Sequence, residues 1–251
     1  AMLVMLDAIH RQFCDVDPHR AWRRLTDLEN PSISFHLLPL PDMGSAEDLY
    51  IKMNSRGKPL TDFENFKAHF EKTIESSPRA GEFAHKVDVE WSDLLWSYRG
   101  FDDNIDDEFL RYLEFVTELC EWLDPKLASL AGRVTLSRRA EKVFGEGNPL
   151  REQHLDLLFT AFDVWVDRDI EATFHDLFEG MPLFFRSGAA NLFELCCATY
   201  GETRGQTRSF SFGQTLVLFA AVLHLIHDSE DFSRRVRTLR NLIEGSQFEM
   251  R

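Results

Sequence analysis

The chain has 251 residues, of which 44% are hydrophobic and 28% are charged, and its formal net charge is −14. These values are typical of a globular protein with a sizeable core, and they exclude a disordered chain. The negative charge argues against a broad nucleic-acid-binding surface, because phosphate contacts require a basic face, although a local basic helix is compatible with it. No apolar run reaches the ~20 residues of a membrane-spanning helix, so we expect no membrane partner.

The first predicted elements are two helices and a strand. Residues 2–13 form an amphipathic pattern with one apolar face made of Leu3, Leu6, Ile9 and Phe13. Asp17-Pro18 predicts the start of a second helix, because proline favours the first helical turn. Residues 33–40, ISFHLLPL, alternate in polarity and are the best strand candidate.

The start of the chain indicates a fragment. It opens abruptly in MLVMLDAIH, and Ala1 before Met2 resembles an expression scar. Because one strand cannot form a sheet, we expect the remaining strands in a missing N-terminal segment of the same protein. That segment is an expected binding partner of this chain.

The rest of the sequence predicts helices separated by glycine and proline breaks. They cover 46–55, 61–76, 81–98, 106–123, 134–144, 150–166, 169–178, 189–200, 211–228 and 231–245. The predicted fold class is therefore mainly α. It consists of a multi-helix domain, residues 78–251, with a short remnant of an α/β region, residues 1–77, at its N-terminal side.

The segment KMNSRGKPLTDFENFKAHFE, residues 52–71, holds the densest group of candidate functional residues. Gly57 suits a left-handed helix C-cap, and Thr61 with Glu64 forms the pattern of a capping box. Three phenylalanines at helical spacing are expected to face a core: Phe63, Phe66 and Phe70. Most of this segment is thus interpreted as the boundary between two helices.

Capping does not explain Asn54, Arg56 and Lys67. Asn54 and Arg56 occupy the turn toward which the helix beginning after Thr61 points its positive N-terminus. An arginine beside such a terminus suits a phosphate or a carboxylate, and a solvated turn is the alternative. The candidate ligand-binding residues are Asn54, Arg56, Gly57, Thr61, Glu64 and Lys67.

The same segment resembles the second signature of the GmrSD restriction-endonuclease N-terminal family, many members of which have no known function. The matching residues are Ala46, Tyr50, Ile51, Asn54, Arg56, Gly57, Leu60, Thr61 and Glu64. RVRTLRNLIEGS, residues 235–246, also resembles the end of that family's pattern. The resemblance covers residues 33–76 well and the remaining helices loosely.

The resemblance implies a ParB-like fold for residues 1–77 and a role in bacterial DNA restriction or phage defence. In the family, an upstream DGQQR motif is associated with nucleotide binding and hydrolysis, and an HNH nuclease domain often follows. Neither occurs in this sequence. The resemblance therefore implies an inactive helical portion without its own cofactor. In the full-length protein, it would support a site for nucleotide and divalent metal and act on DNA.

Two other functions stay open. One is a non-enzymatic helical module that binds protein, another copy of the chain included, through an exposed apolar face. The other is a hydrolase that uses the segment from Asp102 to Glu108 or the pair His224 and His227, although helix capping and helix-end packing explain both groups as well. We predict no catalytic residue and no metal ligand.

Two further patterns concern nucleic acids. Trp91 and Trp96, with Tyr98, could stack on bases, but this spacing is more typical of half-buried packing. Arg234, Arg237 and Arg240 share one face of the last predicted helix. We interpret them as a candidate phosphate or partner contact, with an ordinary amphipathic helix as the alternative.

The four cysteines are Cys14, Cys120, Cys196 and Cys197. They show no metal-ligating spacing, and adjacent cysteines rarely bridge each other. No secretory signal is visible. We therefore expect reduced thiols and a cytoplasmic protein.

Overall fold

The computed structural model describes residues 2–27, 29–30, 32–33, 60–100, 103–127, 134–178, 191–205 and 207–246. Contacts divide the chain into two units, Ala1–Pro59 and Leu60–Arg251. Helices account for most of the described residues of both units, so the prediction of a mainly α protein is confirmed. In these ranges, no helix has the length and apolarity needed to cross a bilayer.

The first unit contains helices α1 (Met2–Phe13) and α2 (Pro18–Leu25). Asp17 caps α2 by accepting a hydrogen bond from the His19 backbone nitrogen over 3.0 Å, which explains the helix start. Within this unit the apolar face of α1 is exposed, with about half of the Leu6, Ile9 and Phe13 surfaces accessible. Residues 34–59 lie outside the described residues, and with them nearly all of the predicted strand and the helix at 46–55.

The second unit is a helical domain with one small hairpin. In chain order its elements are α3 (Asp62–Thr73), α4 (Ala80–Asp88), α5 (Glu90–Trp96), α6 (Asp106–Leu123), α7 (Leu136–Phe144), α8 (Arg151–Asp163), α9 (Ile170–Phe178), α10 (Leu192–Thr199), β1 (Thr203–Arg204), β2 (Thr207–Arg208), α11 (Phe212–His227) and α12 (Phe232–Gly245). The two short strands pair antiparallel, with Thr203 opposite Arg208. The predicted helices agree with these bounds within a few residues, except at 81–98.

The helix predicted at 81–98 is two helices, α4 and α5, that meet at Val89. Its backbone leaves the helical region there, at φ −124° and ψ −83°. Asp163 on α8 accepts hydrogen bonds from Lys86 before the break (3.0 Å) and from Trp91 after it (2.9 Å). A contact from another helix therefore accompanies the bend, and no glycine or proline marks it.

Helix α3 belongs to the helical unit rather than to an N-terminal remnant. Its Phe66 and Phe70, followed by Ile74, are buried in the main core. The contacts place the division of the chain after Pro59, whereas the sequence predicts it after residue 77. The apolar side chains of α3 account for the difference, because they make the helix part of the core that it covers.

Helix α6 is central to this core and is buried along most of its length. Aromatic rings fill the space around it: Trp91 stacks on Phe162 with ring centroids 4.4 Å apart, and Phe162 stacks on Phe109 at 5.3 Å. The Tyr112 hydroxyl donates to the Ala161 carbonyl (2.7 Å) and accepts from the Trp165 indole nitrogen (2.7 Å). The polar ends of these large side chains are thus satisfied inside the core.

Candidate functional site

The capping box predicted from the sequence is present at the start of α3. The Thr61 backbone nitrogen donates to Glu64 Oε2 over 2.8 Å, and the Glu64 nitrogen donates to Thr61 Oγ1 over 3.2 Å. Phe66 and Phe70 on the same helix are buried. The box and the buried rings together fix the N-terminal end of α3 on the helical core.

The other candidate residues of this segment divide into two groups. Asn54, Arg56 and Gly57 lie outside the described residues. Lys67 forms an ion pair with Asp88 of α4 and lies 3.8 Å from the Glu71 carboxylate. Lys67 therefore ties α3 to α4, and this contact accounts for a lysine at its position.

The predicted arginine cluster lies on α12, but its members have different surroundings. Arg234 and Arg237 line a cleft of about 710 Å³ between α12, the end of α11 and α9. Arg240 is not among the residues of that cleft; it lies 3.9 Å from Glu244 and donates to Asn241 over 3.2 Å. Two of the three predicted arginines, Arg234 and Arg237, thus line the same cleft.

Arg168, which the sequence analysis missed, lines the same cleft from the turn before α9. Its Nε donates to the Val164 carbonyl over 2.8 Å. The cleft also has hydroxyl groups from Ser229, Ser233 and Thr173. No local pattern links Arg168 to Arg234, because the two residues are far apart in sequence and meet only through the packing of α9 on α12.

One wall of the cleft is a stacked pair of rings. The imidazole of His224 lies nearly parallel to the Phe232 ring, with centroids 4.3 Å apart and an interplanar angle of 14°. His224 Nδ1 is 3.0 Å from the Ser229 hydroxyl, which holds the ring in this orientation. His224 is therefore part of the cleft wall.

A second polar group is buried where α6 meets α7 and the hairpin. Its carboxylates, Glu114, Glu118 and Glu121, lie on one face of α6. The Glu121 carboxylate accepts from Arg139 of α7 through both oxygens, at 2.8 and 2.9 Å. Glu118 accepts from Arg208 (2.9 Å) and from the Tyr200 hydroxyl.

The charges in this group shift the pKa values of its members. Burial lowers the pKa of Arg139, but the hydrogen bond and charge of Glu121, with the charges of Glu114 and Glu118, outweigh it and raise the pKa overall. Burial and the Glu118 charge raise the pKa of Tyr200 well above its usual value. The guanidinium groups thus stay charged and the phenol neutral, and the cluster acts as a structural tie.

Three of the four thiols are core residues. All four cysteines are free, and Cys120, Cys196 and Cys197 are buried. Burial is the main cause that raises the pKa of Cys196 and of Cys197 well above the usual range. Since the thiolate is the reactive form, these side chains are core residues rather than catalysts.

The weaker candidates of the sequence lie on α5, α6 and α11. The described ranges contain no group of three or more side chains arranged to hold a metal ion, and His224 and His227 are not part of one. Of the candidate segment, Asp102 lies outside the described residues. Asp106 and Asp107 occupy the first turn of α6, where Arg111 pairs with Asp107 over 3.2 Å. Trp91 is fully buried and Trp96 is half exposed, so the two rings do not form one platform.

No protein-family model, curated protein or solved structure matches the chain.

Proposed function

We propose that the chain is the helical portion of a GmrSD-like bacterial protein that acts in DNA restriction or phage defence in the cytoplasm. In this proposal, the helical unit supports a nucleotide-dependent site that an N-terminal segment with a ParB-like fold completes. Residues 1–59 would contribute to that fold, and DNA would be the target of the full-length protein.

The observation that supports this proposal is the capped start of α3. The segment NSRGKPLTDFE resembles the family signature, and its Thr61–Glu64 box caps the start of α3. A helix N-terminus carries a partial positive charge that suits a phosphate group. The helical unit would thus serve as a rigid support for the ligand site rather than as its catalyst.

The test is nucleotide and DNA binding by the full-length protein with Asn54→Ala and Arg56→Ala. We expect each substitution to weaken nucleotide binding by about tenfold, the loss of one charge-assisted contact, while the melting temperature stays unchanged. A lower melting temperature with unchanged nucleotide affinity would show that these residues only shape the turn.

Ser211→Ala is the matched control, because it removes the cap of α11, which is not part of the candidate segment. It should reduce stability by about 1 kcal/mol and leave nucleotide affinity unchanged. The isolated 251-residue chain should show neither nucleotide hydrolysis nor DNA cleavage. Turnover by this chain that exceeds that of its Arg56→Ala variant would contradict the assignment of a supporting role.

A groove between α11 and α12 favours a second candidate function, that of a non-enzymatic protein-interaction module. The groove holds about 400 Å³, and Leu223, Phe232, Val236 and Leu239 are among its lining residues. On α12, Leu242 is 65% exposed and lines an adjoining groove that shares Leu239 with the first one. If this apolar surface pairs two copies of the chain, Leu242→Glu should convert a dimer to a monomer in sedimentation experiments, whereas Glu244→Gln should not.

A further inference from the structure

The cleft between α9 and α12 carries an inference that is independent of the proposed function. Three arginines line it, Arg168, Arg234 and Arg237, in a chain whose net charge is −14. Among the described residues, neither Arg168 nor Arg234 has a carboxylate partner. Asp176 and Asp231 also line the cleft, so three arginines and two carboxylates leave it a net charge of +1, in contrast to the negative chain. This local excess of arginine favours an anionic ligand.

The shape of the cleft favours a small ligand. A volume of about 710 Å³ lies within the range of small-molecule sites. The stacked rings of His224 and Phe232 give it a flat wall, and the Nδ1 contact to Ser229 fixes that wall (3.0 Å). The N-terminal end of α12 lines the cleft through Phe232 and Ser233, which adds the positive end of the helix dipole to the arginine charges.

The chemistry of the lining selects among anions. A phosphate monoester carries up to two charges and presents three terminal oxygens, which suits several guanidinium forks better than a single carboxylate does. Two carboxylates, Asp176 and Asp231, also line the cleft. They would repel a second phosphate, but they can accept hydrogen bonds from hydroxyl groups of the same ligand.

A nucleic acid fits this site poorly. It would bring many phosphates toward a chain of net charge −14, and repulsion between them acts over the whole surface. A ligand with one phosphate interacts mainly within the ~8 Å over which salt leaves charges unscreened. The local arginines therefore outweigh the total charge only for a small ligand.

We propose that the cleft formed by Arg168, Arg234 and Arg237 binds a small phosphate monoester that carries hydroxyl groups, namely a sugar phosphate or a mononucleotide. The arginines hold the phosphate, and Asp176 and Asp231 accept from the hydroxyls. The His224–Phe232 wall supports the remainder of the ligand. This site lies on α9, α11 and α12 and uses no residue of the 52–71 segment.

Calorimetric titration of the 251-residue chain with ribose 5-phosphate, AMP and adenosine tests the proposal. We expect binding of at least one phosphorylated compound and none of adenosine at the same concentration. If ribose 5-phosphate and AMP bind with similar affinity, the cleft recognises the sugar phosphate. If AMP binds more tightly, the ligand is a mononucleotide. If neither ribose 5-phosphate nor AMP binds at a concentration of about 10 mM, the proposal is overturned.

Charge variants locate the site. Arg234→Gln and Arg168→Gln, on separate elements, should each weaken binding at least about tenfold, because each removes a charge-assisted contact. Arg235→Gln is the matched control: it removes the same charge from the next residue of α12, which lines a different groove, and should change affinity less than about twofold.

Three further results, all from the variants, would overturn the proposal. One is an equal loss of affinity in all three variants, which would show general electrostatic attraction. Another is unchanged affinity in both Arg168→Gln and Arg234→Gln. The third is duplex DNA that binds more tightly than AMP and loses affinity in the same two variants, which would make the cleft a nucleic-acid contact. Arg168 and Arg234 are exposed and lie on separate elements. If one of the two variants misfolds, the other one still tests the proposal.

Discussion

Arg139 and Glu121 form a two-point ion pair in the interior of the second unit. Nε and Nη2 of Arg139 lie 2.8 and 2.9 Å from the two carboxylate oxygens of Glu121. Arg139 is 3% exposed and Glu121 is fully buried. The third nitrogen of Arg139, Nη1, donates to Glu114 over 2.8 Å, so one guanidinium joins α7 to two turns of α6. Each buried charge is tolerated only because the other is present.

Arg139→Leu should therefore lower the free energy of unfolding by about 3 to 5 kcal/mol, since it leaves the Glu121 carboxylate buried without its partner. Urea denaturation measures this change. Arg138→Leu is the matched control, because the neighbouring arginine is exposed and should change stability by less than about 0.5 kcal/mol.

A double variant separates the pair from the packing around it. Arg139→Leu with Glu121→Leu removes both charges and should be more stable than Arg139→Leu alone, because an apolar pair needs no charge partner. A double variant that is less stable than the single one would show that packing of the Arg139 stem, and not the ion pair, is what holds α7.

Gly201 is required for the approach of the hairpin to α6. Its φ is +77°, and an added Cβ would lie 2.6 Å from the Glu114 carboxylate, which Arg139 holds in place. Gly201→Ala should lower the stability by about 1 to 3 kcal/mol through the left-handed backbone and this contact.

Gly81 on α4 provides the opposite case. An added Cβ at this helical position meets nothing within 4 Å, so Gly81→Ala should raise the stability by up to about 1 kcal/mol through helix propensity. Thermal unfolding of both variants gives the comparison. A shift of the same sign in both would contradict the assigned roles of the two glycines.

The thiols should react in two classes. Cys14 is exposed, while Cys120, Cys196 and Cys197 are buried, and burial raises the pKa of Cys196 and Cys197 well above the usual range. With an aromatic disulfide reagent at pH 8, a near-optimal pH for a free thiol, Cys14 should react quickly and the others only at the rate of unfolding. Cys14→Ser should abolish the fast phase, and a fast phase that persists would show that a buried thiol is accessible.

Alkaline pH should destabilise the helical unit through its buried phenols. Burial raises the pKa of Tyr112, and burial together with the Glu118 charge raises that of Tyr200, both well above the ordinary value of 10.0. The folded state then keeps protons that the unfolded chain loses. The stabilising contribution is complete below pH 10 and is lost as pH rises from there toward the folded-state pKa values.

Urea denaturation between pH 8 and pH 11, around the phenol pKa of ~10, measures this loss. The unfolded chain also ionises the buried thiols near their ordinary pKa of 9.0, so we expect stability to begin to fall there. Above the phenol pKa of ~10 the decline should steepen by up to ~1.4 kcal/mol per pH unit for each phenol. Tyr200→Phe should make the decline shallower, although it lowers the stability at neutral pH by leaving Glu118 with one partner fewer. Tyrosinate absorbance from Tyr112 or Tyr200 in folded protein at pH 10 would contradict the prediction.

Sequence alone determined the local structure of this chain. The Thr61–Glu64 box and the helix 106–123 were predicted at the positions where they occur, as was the proline start of α2. These features depend on hydrogen bonds between residues at most four positions apart and on apolar side chains repeated at helical spacing. Such interactions involve only neighbours that the sequence itself shows.

Tertiary structure decided the rest. The bend at Val89 accompanies contacts to Asp163, the Arg139–Glu121 pair joins different helices, and the cleft brings Arg168 to Arg234. The sequence shows that Glu114, Glu118 and Glu121 share one face of α6. An acidic face of a helix is usually solvated, and no local pattern indicates that an arginine covers this one. Burial and ion pairing depend on which helices pack together. The same residue types are therefore solvated in one packing and form a tie or a binding site in another.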